Sequence, residues 1–526
     1  AVVDAIAVVV RVTGVAVPVA VRVGLGRIAD QRAVVGRVED PVVIVVRVHA
    51  VHGPVQVRVG EALIDRALDI IEPVQDDDGY LHANMAPASL RHLRWSHGGM
   101  NELYAAGHLI QGAIAHRRTT GDDRFMKIAI RVADHIHTVF GAGDKEWRPS
   151  HPVIEMALVE LYRETGGKRY LACAETIVDA RGHNPCKGNL FDHPPGLLGT
   201  DTIQDRAPLR KEQQVVGHNV FFTYLYTGAT DVLLETGDQA LREALERLWT
   251  DLMGRKANIN GGVSPMGTGL SVRHDPVCEA VGPAYFLPNT DAYNETCGQI
   301  GNLMWNYRML CLTGETRFAD VMELEIYNGI LSGVGLDGES WWYRNALRRQ
   351  ESEQGSNRHN DLPERIKPGR RQICCPTNLL RTVAQWQSYA YTVSAGCVWV
   401  HQYGANEAKL ELPDGSRIAL TQETEYPWDG AITITVTEAP AAELALKLRI
   451  PGWAEGATVT VNGEAVEAEL ASGTYACVRR VWAAGDTVEL DLPMPVRLMQ
   501  AHPKVEQCRG QVAVFRGPIL YCLESH

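Results

Sequence analysis

Thr120-Gly121-Asp122-Asp123-Arg124-Phe125 returns in altered spelling as Thr165-Gly166-Gly167-Lys168-Arg169-Tyr170, Thr236-Gly237-Asp238-Gln239-Ala240-Leu241 and Thr313-Gly314-Glu315-Thr316-Arg317-Phe318. In each copy a Gly able to adopt the left-handed conformation ends one helix, and the next helix starts soon after. Between the copies, apolar residues recur at three- and four-residue spacing, as in Phe125, Ile128, Val132, Ile136 and Val139, which predicts amphipathic helices. Helix pairs of this kind must stack to bury their faces, as an open solenoid or a closed toroid. Closure is the expectation, because the residues with chemical potential lie in loops between the pairs and would converge at one mouth.

Working outward, the helical pattern occupies 59–393. From about Ser394 the period changes to two, in Val398-Trp399-Val400, Ile432-Thr433-Ile434-Thr435-Val436, the run from Leu444 to Ile450, and Val459 to Val461 followed by the hairpin-prone Asn462-Gly463. A β-sandwich region is expected over 394–526, with a second β-unit starting near Gly510-Gln511-Val512-Ala513-Val514 and incomplete at its C-terminal end. Residues 1–58 are Val-rich and hold no Lys, Ser, Phe, Tyr, Trp, Asn, Cys or Met. Such a stretch lacks turn chemistry and large core residues, so an upstream extension foreign to the domain is favoured over a set of Val-rich strands.

At 526 residues with 45% apolar content, two or three domains are expected. A net charge of -12 disfavours nucleic acid or an anionic membrane as partner, since both select basic surfaces. A neutral or cationic small molecule, such as an oligosaccharide or small glycoside, fits better. No apolar run is long enough to span a bilayer and no signal peptide opens the sequence, so a cytoplasmic protein is expected, with a homodimer as the assembly to test. Eleven cysteines spread through a long chain point to reduced thiols rather than a disulfide framework.

Two segments carry the chemistry: Glu295-Thr296-Cys297 and Cys374-Cys375-Pro376. One carboxylate and three thiols form a four-ligand set of the kind Zn²⁺ takes, and buried thiols without a metal are the competing reading. Residues at i and i+2 do not share a helix face, so Glu295 and Cys297 should sit on a segment entering the helix that runs toward Leu312. Pro376 marks a helix start, with Cys375 near the cap and Cys374 just outside. If a metal is held there, Cys374 could be ligand and nucleophile at once, because the ion keeps a thiolate charged at neutral pH. Glu279, shortly before the ligand segment, is the natural acid/base. His108 lies mid-helix, whereas His151 and His218 occupy loop or helix-start positions, which favours them as pocket residues.

These residues resemble glycoside hydrolase family 127, the β-L-arabinofuranosidase family, and its relative family 146. The resemblance runs from Asp78-Gly79-Tyr80-Leu81 to Tyr521-Cys522 through Glu102-Leu103-Tyr104, Gly107-His108-Leu109, Gly217-His218, Leu287-Pro288-Asn289, Tyr327-Asn328-Gly329, Leu336-Asp337-Gly338, Ile450-Pro451-Gly452-Trp453 and Arg516-Gly517-Pro518. It implies an (α/α)6 barrel followed by β-sandwiches, Zn²⁺ held by Glu295, Cys297, Cys374 and Cys375, Cys374 as nucleophile and Glu279 as acid/base. It also implies sugar contacts from His151, His218, Glu323 and Tyr343, with Asn101 standing where the family commonly has a histidine, and His108 beside them. Terminal β-L-arabinofuranose, or a branched acidic pectin sugar, is the implied substrate. A non-catalytic carbohydrate-binding protein with structural zinc is the rival; a toroidal epimerase or lyase would give no reason for three thiols.

Overall fold

A computed structural model describes residues 58–82, 88–95, 101–142, 151–183, 199–290, 292–348, 366 and 374–523, together with the backbone of 6–12, 15–21 and 44–46. At Gly121 the backbone turns to φ 77° and its N–H bonds to the Arg117 carbonyl, ending one helix three residues before the next begins. Gly166, Gly237 and Gly314 share this left-handed conformation, so all four repeats are helix corners. The helices are α1 (Arg58–Ile71), α2 (Glu102–Thr120), α3 (Arg124–Ile136), α4 (Ile154–Thr165), α5 (Lys168–Ala180), α6 (Asn219–Thr236), α7 (Gln239–Arg255), α8 (Thr296–Thr313), α9 (Thr316–Glu325) and α10 (Cys374–Gln385).

The even-numbered helices touch in succession, α2 with α4, α4 with α6, α6 with α8 and α8 with α10. Each of α3, α5, α7 and α9 lies against the even-numbered helix before it. Burial follows this order. Residues 219–233 of α6 and 296–306 of α8 are buried all round, whereas α3 buries only the stripe of Met126, Ile128, Ala129, Val132, Ala133 and Ile136. Two rows of helices result, an inner one buried most completely in α6 and α8 and an outer one that, as in α3, buries a single stripe.

Within the Val-rich opening, the backbone of β1 (Ile6–Val12), β2 (Val15–Val21) and β3 (Ile44–Val46) pairs in the order β2-β1-β3. The rest of the opening lies outside the described residues. The helical stretch is also interrupted by an antiparallel hairpin of β4 (Met266–Leu270) and β5 (Pro276–Ala280), with Thr268 opposite Cys278. In β4, Gly267 and Gly269 stand at alternate positions and erase the period-two signal that would have exposed the strand.

Beyond α10 come β6 (Tyr391–Ser394), β7 (Cys397–Val400), β8 (Asn406–Glu411), β9 (Arg417–Thr424), β10 (Ala431–Glu438), β11 (Leu444–Ile450), β12 (Thr458–Val461), β13 (Glu464–Ala465), β14 (Thr474–Arg480) and β15 (Thr487–Asp491). They form a six-stranded sheet, β13-β12-β15-β10-β9-β8, and a four-stranded sheet, β14-β11-β7-β6. Val398, Leu446 and Leu448 of one sheet share a core with Leu420, Ile434 and Val488 of the other. Asn462 and Gly463, both at positive φ, make the turn between β12 and β13. The last sheet, β16 (Val496–Gln500), β17 (Val512–Arg516) and β18 (Ile519–Tyr521), starts earlier than the expected Gly510, because β16 pairs with β17 across the intervening loop.

Glu323 requires a correction. It is buried on α9, where Arg449 of β11 donates to Oε1 at 2.5 Å, the Tyr426 hydroxyl also donates to Oε1, and Trp453 Nε1 donates to Oε2 at 2.9 Å. Both oxygens are committed to the junction between helices and sheets, so Glu323 is not a sugar contact. Arg449 spans the same junction by pairing with Asp320 at 2.5 Å. The Ile450-Pro451-Gly452-Trp453 and Tyr327-Asn328-Gly329 motifs belong here too: Gly452 N–H bonds to Asp320, and Asn328 bonds to Pro518 and Leu520.

Candidate active site

The N-terminal ends of the inner helices gather the reactive groups. Glu295 is the N-cap of α8, with Cys297 the second helical residue. Cys374 and Cys375 are the first two residues of α10, so that helix starts slightly before the point Pro376 implied. His218 is the N-cap of α6, Asn101 that of α2, and His151 precedes α4. Helix N-termini present positive potential and lower the pKa of nearby thiols, which suits a concentration of anionic groups.

Cys297 Sγ lies 3.4 Å from Cys375 Sγ, which is 4.0 Å from both Cys374 Sγ and Glu295 Oε1. One donor atom from each of the four residues falls within 4.8 Å of every other. A tetrahedral ion at about 2.3 Å from sulfur and about 2.1 Å from oxygen sets its ligands roughly 3.4 to 3.8 Å apart, so the set fits a metal with small adjustment. The electrostatics agree. Burial, together with the charges of Glu279 and Cys374, pushes the Glu295 carboxyl well above its usual range, the response of an anionic cluster lacking a counter-charge. Hydrogen bonds from the Cys297 and Cys375 thiols, and from the Tyr343 hydroxyl, instead pull the Cys374 thiol down to about 3. Cys297 and Cys375 are fully buried and pushed up, while Cys374 is partly exposed.

Sequence reading missed the support of this cluster. Asn378 Nδ2 donates to Cys297 Sγ at 3.0 Å, and its Oδ1 accepts from Arg381 at 2.8 Å and from the Tyr224 hydroxyl at 3.0 Å. Asn378 is one turn beyond Cys374 on α10, an i, i+4 spacing that offered a signal in the sequence. Tyr343 is brought in by its backbone, whose carbonyl accepts from Thr296 N–H at 3.0 Å.

Glu279 sits on β5 at φ 46°, a left-handed conformation costing a non-glycine residue about 1 kcal/mol or more. The hairpin is pinned to the start of α6 by pairing of Ala280 with His218. His218 Nε2 approaches Glu279 Oε2 at 3.0 Å, and Tyr293, also missed, donates to Oε1 at 2.7 Å. Burial raises the Glu279 pKa, but these hydrogen bonds outweigh it and hold the carboxyl below its usual range. Because His218 Nδ1 accepts from Val220 N–H at 3.2 Å, the proton resides on Nε2, facing Glu279.

His151 Nδ1 donates to the Pro152 carbonyl at 2.8 Å, leaving Nε2 as an acceptor. Its ring lies 4.3 Å from both Tyr104 and Phe221 and 6.4 Å from His218, while His108 packs on Tyr104 at 4.4 Å. Burial keeps both rings neutral, His108 at about 3 and His151 well below its ordinary value. Asn101 is partly buried at φ 55° without capping α2 through its side chain. The structure thus brings Glu279, Glu295, Cys297, Cys374, Cys375, His218 and Tyr343 together, lines up His151 and His108 beside them, and places Glu323 elsewhere.

Residues 56–388 match the β-L-arabinofuranosidase catalytic domain of glycoside hydrolase family 127, residues 397–494 its middle domain and residues 496–526 its C-terminal domain. The non-reducing end β-L-arabinofuranosidase of Bifidobacterium longum subsp. longum is 34% identical over 492 residues, covering 88% of this chain and 72% of the relative. A crystal structure of a GH127 β-L-arabinofuranosidase from Geobacillus stearothermophilus T6 is 37% identical with a TM-score of 0.81, covering 90% of this chain and 74% of that one. Another GH127 β-arabinofuranosidase structure is 35% identical with a TM-score of 0.75, over 88% and 72% of the two chains. With a carboxylate-thiol cluster at the helix mouths and matches spanning nearly the whole length, the chain belongs to glycoside hydrolase family 127 and is a glycosidase.

Proposed function

We propose that this glycosidase releases terminal β-L-arabinofuranose from plant cell-wall glycans with retention of configuration, using Cys374 as nucleophile and Glu279 as acid/base. Zn²⁺ held by Glu295, Cys297, Cys374 and Cys375 would supply the positive charge that keeps the Cys374 sulfur ionised in the presence of a sugar. Cys374 Sγ attacks the anomeric carbon while the protonated fraction of Glu279, small at neutral pH because its carboxyl is held below the usual range, donates to the departing oxygen, leaving the sugar bonded to sulfur. Glu279 then takes a proton from water, which attacks the same carbon and frees the thiolate. His218 and Tyr293 orient Glu279. His151, His108, Asn101 and Tyr343 would contact sugar hydroxyls, and a site built around hydroxyls rejects analogues that leave its polar groups unpaired.

The observation that carries this reading is the cluster itself: Glu295, Cys297, Cys374 and Cys375 each bring one donor atom within 4.8 Å of every other, and of its three thiols Cys374 is the one that is not fully buried. The inner row of helices supports closure into an (α/α)6 barrel, since Arg381 of α10 also donates to Gln111 of α2 at 3.4 Å, joining the ends of the row. A nitrophenyl β-L-arabinofuranoside should leave a sugar-mass adduct on the Cys374 peptide, and Cys374→Ala should lower turnover by at least about 10³-fold. Turnover persisting in Cys374→Ala would refute the thiolate mechanism.

A further inference from the structure

A second group of metal-ligating atoms overlaps the first. His218, Glu279 and Glu295 each offer one atom within 4.8 Å of the other two. Glu295 is shared between the groups: Oε1 lies toward Cys375, whereas Oε2 is fully buried without a hydrogen-bond partner. The ordinary reading of the other two residues is a hydrogen-bonded pair, His218 Nε2 to Glu279 Oε2 at 3.0 Å. That pair leaves Glu295 Oε2 unanswered, and one imidazole with two carboxylates is a donor set that borderline divalent cations take.

We propose that His218, Glu279 and Glu295 form a second, weaker site for a divalent cation such as Zn²⁺, bridged to the thiolate site through Glu295, and that filling it inhibits the enzyme. The proposal rests on the thiolate-metal reading above for its inhibitory consequence, though the three donors stand independently of it. An ion about 2.1 Å from each donor needs them roughly 3.4 Å apart; His218 Nε2 and Glu279 Oε2 stand 3.0 Å apart, and the Glu295 donor lies within 4.8 Å of both. Binding requires His218 Nε2 to be unprotonated, so its proton moves to Nδ1 and the contact with Val220 N–H is lost. Val220 N–H is not stranded, because it also donates to Asn219 Oδ1 at 2.7 Å. The lost His218–Glu279 hydrogen bond and the tautomer change make this site weaker than the sulfur-rich one. With Glu279 bound to a cation, neither of its proton transfers can occur.

The test uses full-length protein titrated with Co²⁺ and with Zn²⁺, reading bound metal by equilibrium dialysis and the Co²⁺ spectrum alongside activity. A first equivalent should bring intense sulfur-to-cobalt charge-transfer bands, and a second, weaker equivalent only ligand-field bands, with activity falling as the second binds. His218→Ala and Glu279→Gln should each weaken the second equivalent by about 10-fold or more while keeping the first, since neither residue is in the sulfur set. A stoichiometry that stays at one, or a second equivalent that survives in both folded variants, overturns the proposal. Ligand-field bands without any charge-transfer bands would instead defeat the thiolate-metal reading and leave the three-residue site standing.

Discussion

Cys374, Cys375 and Cys297 are the same residue type within one cluster, yet only one of them is exposed enough to reach a substrate. What separates them is the company each keeps. Cys297 accepts a hydrogen bond from Asn378, which is itself fixed by Arg381 and Tyr224. Partners of this kind orient ligands and hold metal affinity, so Asn378→Leu should weaken metal retention about 10- to 100-fold, measured by competition with a chromophoric chelator, with the fold intact by circular dichroism. Retention equal to wild type would mean that the amide only fills space. The four-ligand set could be named from residue types and spacing; Asn378 carried only its i, i+4 spacing from Cys374 and Tyr293 no local signal, because an amide or phenol acquires a role only when folding turns it toward a particular sulfur or carboxylate.

At the scale of elements, Glu323 and Asp320 on α9 face Arg449 on β11, and this is where the helical and sheet regions are joined by charge. Arg449 is completely buried, so removing it leaves the buried Glu323 carboxylate without its counter-charge, while the partly exposed Asp320 loses its ion pair. Arg449→Ala should cost about 3–5 kcal/mol in unfolding free energy, with the loss read by denaturant titration. A loss below about 1 kcal/mol would show that water replaces the guanidinium. The helix corners were legible because Gly at a left-handed position is a local, steric requirement. The β4–β5 hairpin was not, since its strands are short, rich in glycine and set by pairing with the start of α6, and so the strained placement of Glu279 was hidden as well.

For the molecule as a whole, buried neutral histidines make stability depend on pH. His401 lies between the sheets and the helical region with the Tyr475 hydroxyl at 2.5 Å from Nδ1 and Thr392 at 2.7 Å from Nε2, and burial, aided by Arg449, pushes it down to about 3. The unfolded chain takes up this proton near 6.5 while the folded one refuses it until about 3, so the stability His401 contributes is present above 6.5 and is lost as pH falls through that window. Between pH 7 and 5 the loss is up to about 2 kcal/mol, and it should disappear in His401→Gln when thermal unfolding of the two proteins is compared at both values. An unchanged pH dependence in the variant would place the acid sensitivity elsewhere.

The sequence by itself determined the change from helical to strand periodicity, the helix corners and the inventory of thiols and carboxylates, because these depend on neighbours a few residues apart. Only the tertiary structure decided which carboxylates serve the site and which the junction. Glu279 and Glu323 are alike as letters, and their difference arises when one is carried by a hairpin to His218 and Tyr293 and the other is pressed against a buried arginine from a strand more than a hundred residues away. Contacts across such distances form only when the chain gains more by burying apolar surface than it loses in ordering, and no local pattern records where they will fall.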